Sequence, residues 1–187
     1  HLGIEQIVIA GHSLGGRLAS NFAHIYPEKV TQLVMVNPIA LNDSDKGRAW
    51  NQPTGGAAEP DLQAHYESNL RLEQGRIVNW KPEYMEHVRI RYGQALSSEF
   101  HRLNLVRAMN SGLTAQPVDT YWPKINTPAL LIGGAQDGPN YPETARRAVD
   151  LLPNGELIML PDAGHNPHVE IPDQLNREIL RFLEGNS

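Results

Sequence analysis

Cysteine is absent from the chain, so disulfides and thiolate chemistry are excluded. The absence fits a reducing compartment, and a cytoplasmic location is the expectation. Long hydrophobic runs are missing as well. An apolar stretch such as Gln6-Ile7-Val8-Ile9-Ala10 falls far short of the roughly 20 residues a membrane-spanning helix needs, so no membrane span is expected. No signal peptide is visible. There is no basic excess: 16 Lys and Arg face 21 Asp and Glu, for a net charge of −5. With no basic block either, nucleic acid is not an expected partner. Phosphate-binding loops are lacking too, since neither G-x-x-x-x-G-K-[ST] nor a G-x-G-x-x-G after a strand occurs. The initiator methionine is also missing. The chain starts at His1 and runs almost at once into an apolar strand, which leads to the expectation of a fragment or a processed chain.

With 40% hydrophobic residues among 187, the sequence reads as one globular domain with a substantial core. Glu5 to Ala10 reads as a buried parallel strand. A glycine-rich turn over Gly11–Gly16 follows. From Leu14 the pattern turns helical, with Leu14, Leu18, Phe22 and Tyr26 four apart and Ala19 and Ala23 in the adjacent row, until Pro27 stops it. Gln32 to Asn37, Pro128 to Gly133 and Glu156 to Leu160 read as three more strands. Helices are predicted over Pro142–Leu152 and Pro172–Leu183. Strand–helix alternation implies parallel βαβ units.

Residues 42–122 break this pattern. Gln52 to Pro60 is a loop by composition, and three helical stretches follow, started by Asp61, Pro82 and Ser98. The division expected is a core of residues 1–41 and 123–187 and a helical insertion of residues 42–122.

Gly11-His12-Ser13-Leu14-Gly15 fits G-x-S-x-G, and it lies between a strand and a helix, as a nucleophile elbow requires. So tight a turn forces the serine into an unusual backbone conformation, and flanking glycines let the neighbouring backbones approach. The helix opening at Leu14 aims its positive end at the same spot, which makes the Leu14 backbone N–H the expected oxyanion donor. His12 is a poor candidate for the base, because its side chain is expected to point away from Ser13.

A serine hydroxyl needs a base and a carboxylate to orient that base. Asp137 follows the third strand, and His165 follows the fourth, after Gly164. Ser, Asp, His is the chain order of an elbow-type serine hydrolase, and strand ends are where such a fold presents its chemistry. Asp119 and Asp162 are weaker rivals to Asp137, and His168 is a rival to His165. His165, His168 and Glu170 lack the i, i+4 helical spacing of H-E-x-x-H, so no metal is expected, and the chemistry calls for no cofactor.

At Gly11-His12-Ser13-Leu14-Gly15-Gly16, the Asp137 loop and Gly164-His165, the sequence resembles the α/β-hydrolase superfamily, and the likeness covers nearly the whole chain. The resemblance implies a partial α/β-hydrolase fold, a mostly parallel sheet with flanking helices and a helical lid. It makes Trp50, Tyr66, Trp80, Tyr84 and Trp122 candidates for pocket-lining aromatics. It also implies strands ahead of the elbow and a His-Gly loop carrying a second oxyanion donor. An N-terminal segment of the same protein is therefore an expected partner, and without it the elbow strand would be an exposed edge. The function expected is hydrolysis of an ester-type bond in a small apolar substrate through an acyl-enzyme, with Ser13, Asp137 and His165 as catalytic residues. A carbon–carbon bond hydrolase of ring-cleavage products, a small-ligand receptor that keeps the triad, and an inactive fragment are the alternatives.

Overall fold

The structure, a computed structural model, describes residues 3–41, 61–100, 102 and 116–186. Four strands, β1 (Ile7–His12), β2 (Val30–Val36), β3 (Ala129–Gly134) and β4 (Gly155–Leu160), pair in parallel in the order β1-β2-β3-β4. Parallel neighbours cannot be joined by a hairpin, so each link is a crossover. Helix α1 (Leu14–Ile25) joins β1 to β2. The segment from β2 to β3 carries α2 (Leu62–Arg76) and α3 (Met85–Ala95). Helix α4 (Tyr141–Val149) joins β3 to β4, and α5 (Pro167–Glu170) and α6 (Pro172–Gly185) follow.

The helix starts follow local chemistry. Asp61 caps α2, its Oδ1 accepting from the backbone N–H groups of Gln63 (3.1 Å) and Ala64 (3.0 Å). Pro82 opens a short 3₁₀ turn that leads into α3. The helix expected after Ser98, with Leu103, Val106 and Met109, and the loop over Gln52–Pro60 lie outside the described residues.

The core has two layers, one on each face of the sheet. Leu33, Met35 and Leu131 pack with Ala19 and Ala23 of α1, Ala145 and Ala148 of α4, and Trp122. Val34, Leu130, Ile132 and Leu160 pack with Leu175 and Phe182 of α6. Alternate residues of β2 and β3 thus serve opposite layers, which explains runs with no polar alternation. Each fully buried aliphatic side chain contributes about 1.5–3 kcal/mol.

One expectation needs correction. Strand β1 is half-exposed rather than buried, with Val8 47% exposed. It pairs with β2 alone among the described strands, so it forms the edge of the described sheet. In α1 the large residues divide: Phe22 packs partly buried against the core, whereas Leu18 is 41% exposed. The buried face is Gly16, Arg17, Ala19, Ser20 and Ala23. Small residues bring the helix close to the sheet, to the point that a Cβ on Gly16 would stand 3.0 Å from Cβ of Pro38. A four-residue period alone does not say which of two adjacent rows packs inward.

Candidate active site

Ser13 lies between β1 and α1 with φ 57° and ψ −119°. Positive φ at a non-glycine residue costs about 1–3 kcal/mol and persists only where the surroundings impose it. Here they do: the Ser13 N–H donates to the Val36 carbonyl (2.9 Å), and the Ser13 carbonyl accepts from Gly16 N–H (3.1 Å). The two motif glycines are not equivalent. A Cβ on Gly11 would sit 2.1 Å from the Gly15 carbonyl oxygen, whereas a Cβ on Gly15 would meet nothing within 4 Å. Gly11 gives the close approach, and Gly15 is only the surface it approaches.

The three side chains singled out from distant parts of the sequence meet. His165 Nδ1 is 2.7 Å from Asp137 Oδ2, and His165 Nε2 is 3.0 Å from Ser13 Oγ. An ionised carboxylate only accepts, so Nδ1 carries the proton and Nε2 turns its lone pair to the hydroxyl. Each residue projects from the carboxyl end of a strand: Ser13 after β1, Asp137 after β3, His165 after β4. His165 is 6% exposed. The rival His168 is exposed and does not reach Ser13, although its ring edge packs on His12. Its ring is nonetheless partly sheltered from water, and that shelter, followed by the neighbouring His12, pushes its pKa down to about 4.

His12 does not point away as expected. It lines the cavity beside Ser13, and its Nε2–H donates to the His165 carbonyl (2.8 Å), bracing the loop that carries the imidazole. Burial lowers its pKa, which keeps it neutral. Leu14 opens α1 and lines the same cavity. The first N–H groups of a helix have no intrahelical partner.

Asn37 is a residue that sequence reasoning missed. It is fully buried, with φ 42°. Its Nδ2 donates to Asp137 Oδ2 (2.8 Å) and to the Gly164 carbonyl (3.3 Å), and its Oδ1 accepts from Gly134 N–H (3.1 Å). One amide thus joins the ends of β2, β3 and β4, and it shares an acceptor oxygen with His165. The available signal was its place directly after β2, where this kind of sheet presents functional groups. Asn37→Ala is expected to lower any turnover that depends on His165 about tenfold and cost about 1–3 kcal/mol, because Gly134 N–H is left without its acceptor. Asn37→Asp keeps the shape but loses the donors, and should do no better. Steady-state kinetics and thermal melts check both.

The His165 loop is also bolted to α2. His165 N–H donates to the Arg76 carbonyl (2.8 Å), and Glu170 accepts from Gly164 N–H (2.9 Å) and Val78 N–H (2.7 Å).

Above Ser13 and His165 opens a cavity of about 620 Å³. Ile39, Ile90 and Val169 form its apolar wall; Glu73, Arg76 and Arg91 form a charged one. None of the expected aromatics lines it among the described residues. Trp122 is fully buried in the core and donates to Ser20 Oγ (3.2 Å), Tyr84 is buried, and Tyr66 and Trp80 pack edge-on against Tyr92 and Tyr84. Trp50 lies outside the described residues. Among the described residues no group of three or more His, Asp or Glu is arranged to hold a metal ion, and no helix is long and apolar enough to cross a membrane.

Comparison with known families decides the classification: residues 1–172 match the model of the alpha/beta hydrolase fold. The chain belongs to this family. A "Putative esterase/lipase" of Haemophilus influenzae is 25% identical over 189 residues, which cover 100% of this α/β-hydrolase chain and 63% of that relative. A crystal structure of a "probable hydrolytic enzyme" from Pseudomonas aeruginosa PAO1 superposes with a TM-score of 0.78 at 25% identity, covering 97% of this chain and 64% of that one. A meta-cleavage product hydrolase from Pseudomonas fluorescens IP01 superposes with a TM-score of 0.75 at 20% identity, covering 100% and 67%. The α/β-hydrolase chain thus spans about two thirds of the length of these relatives.

Proposed function

We infer that the full-length protein is a serine hydrolase that cleaves an ester-type bond of a small molecule through an acyl-enzyme. The carrying observation is the relay in which His165 stands 2.7 Å from Asp137 and 3.0 Å from Ser13. His165 Nε2 takes the Ser13 proton as Oγ bonds to the carbonyl carbon. The Leu14 N–H donates to the resulting oxyanion. When the carbon–oxygen bond to the leaving alcohol breaks, His165 returns the proton to that alcohol. Water, deprotonated by His165, then releases the acid and restores the Ser13 hydroxyl. Asp137 holds the Nδ1–H tautomer throughout and offsets the imidazolium charge.

In this reading, α2 and α3 belong to a helical lid, and Glu73, Arg76, Ile90 and Arg91 from them roof the cavity above Ser13. The Haemophilus relative, named for an esterase/lipase, supports ester cleavage. The mixed wall of the cavity fits an apolar substrate only in part.

The test is covalent. A fluorophosphonate incubated with the full-length protein should add one phosphonyl group, located by peptide mass spectrometry on the fragment holding Ser13. His165→Ala should slow that labelling at least a hundredfold. Labelling elsewhere, or at an unchanged rate in His165→Ala, would sink the assignment.

A further inference from the structure

The charges around the cavity are not those of the chain as a whole. The chain carries a net charge of −5. Among the described residues lining the cavity, the charged side chains are Glu73, Arg76 and Arg91, an excess of one positive charge beside Ser13. Both guanidinium groups meet the same oxygen: Arg91 Nε lies 2.8 Å and Arg76 Nη1 3.3 Å from Glu73 Oε1. Glu73 is almost wholly buried, with 5% of its side chain exposed, while Arg91 and Arg76 keep 35% and 28%.

Removing one carboxylate and two guanidinium groups from full solvation carries a desolvation cost that a single shared acceptor oxygen offsets poorly. A guanidinium presents five N–H donors. Among the described residues, Glu73 engages one nitrogen of each arginine and no other side chain takes the remaining donors. Arg91 spends its Nε and retains the terminal pair, whose spacing suits both oxygens of a second carboxylate. Arg76 also bears on His12 beside Ser13: burial first, and then the charges of His165 and Arg76, lower the His12 pKa.

Resting on the hydrolase reading above, we propose that the substrate carries a carboxylate, which Arg91, aimed by Glu73 and assisted by Arg76, binds while the scissile ester lies on Ser13. Glu73 neutralises one arginine and fixes the direction of the other. The ligand anion supplies the counter-charge that the wall lacks. Hydrolysis then releases an acid or alcohol that keeps this carboxylate. Arg91 determines specificity; it does not touch the bonds that change.

The experiment compares two esters on the full-length protein: mono-4-nitrophenyl adipate, and 4-nitrophenyl 6-methylheptanoate, in which an isopropyl group of similar shape replaces the carboxylate. The expected result is a kcat/KM at least tenfold higher for the adipate ester. Arg91→Met should reduce that preference about 10- to 100-fold, the worth of a charge-assisted pair, and Arg91→Lys should keep part of it. The wild-type preference needs no variant, so misfolding of Arg91→Met does not remove the test. A preference for the neutral ester, or a ratio unmoved by Arg91→Met in folded protein, overturns the proposal. Ser13→Ala separates the two claims. If Ser13 is required for both esters and the ratio is flat, only the anionic subsite fails. If Ser13→Ala still turns over both, the hydrolase reading itself fails.

Discussion

Ser13→Ala in the full-length protein is expected to lower kcat for ester hydrolysis by about 10⁴- to 10⁶-fold with little change in stability. In the proposed mechanism the hydroxyl is the attacking group, and in the structure it is the partner of His165 Nε2 at 3.0 Å. Removing it leaves the imidazole nothing to deprotonate except water. His165→Ala should lose about as much, and the double variant no more than either alone, because the residues act as a unit. Asp137→Asn should fall about 10⁴-fold by favouring the wrong imidazole tautomer. The measurement is steady-state turnover of a 4-nitrophenyl ester with circular dichroism as the folding control. A loss under tenfold for Ser13→Ala would remove it from the nucleophile role. Alanine at this position also keeps the positive φ, so the backbone strain stays with nothing gained from it.

Gly134→Ala is expected to be among the most damaging single methyl additions at the described glycines. Its Cβ would sit 2.0 Å from the Gly164 carbonyl oxygen and 2.3 Å from that of Ala163. Both are backbone atoms, so no rotamer relieves the overlap. The strand end and the His165 loop would have to separate. Gly164 has no room to retreat, since its own Cβ position is 2.5 Å from the Arg76 carbonyl. The cost is about 3 kcal/mol or more. For a domain of this size that is roughly a 6–12 °C drop in Tm, with activity lost alongside because His165 follows Gly164 directly. Gly15→Ala is the contrast, with an open Cβ position in a helical turn, and should melt within about 2 °C of the parent. A Gly134→Ala protein as stable as the parent would show that the loop relaxes freely.

Much of the architecture was legible because β-branched runs and helical periods carry it. The four strands and the helices capped by Asp61 and opened by Pro82 follow from spacing and local signals. Burial on β1 did not follow, because it depends on which strands lie alongside, and that information is not in its own residues. The packed face of α1 was left open by the sequence, because two adjacent rows recur with the same period and the helix packs mainly through Gly16, Ala19, Ser20 and Ala23. At the site, Ser13, Asp137 and His165 were found through motif and chain order. Asn37, Glu170 and the Glu73–Arg91 pair were not. Each acts through contacts with residues 92 to 127 positions away, or, for Glu73 and Arg91, through a meeting between separate helices. No local pattern encodes such meetings.

The Arg76 carbonyl and the Glu170 carboxylate hold the His165 loop to the end of the helix that carries Glu73 and Arg76. If His165 is the base and that helix reads the substrate, as proposed, recognition and proton transfer share their fasteners. Sequence drift in α2 that retunes which molecules enter would then also shift the reaction, so selectivity and turnover would evolve together, as one trait rather than two.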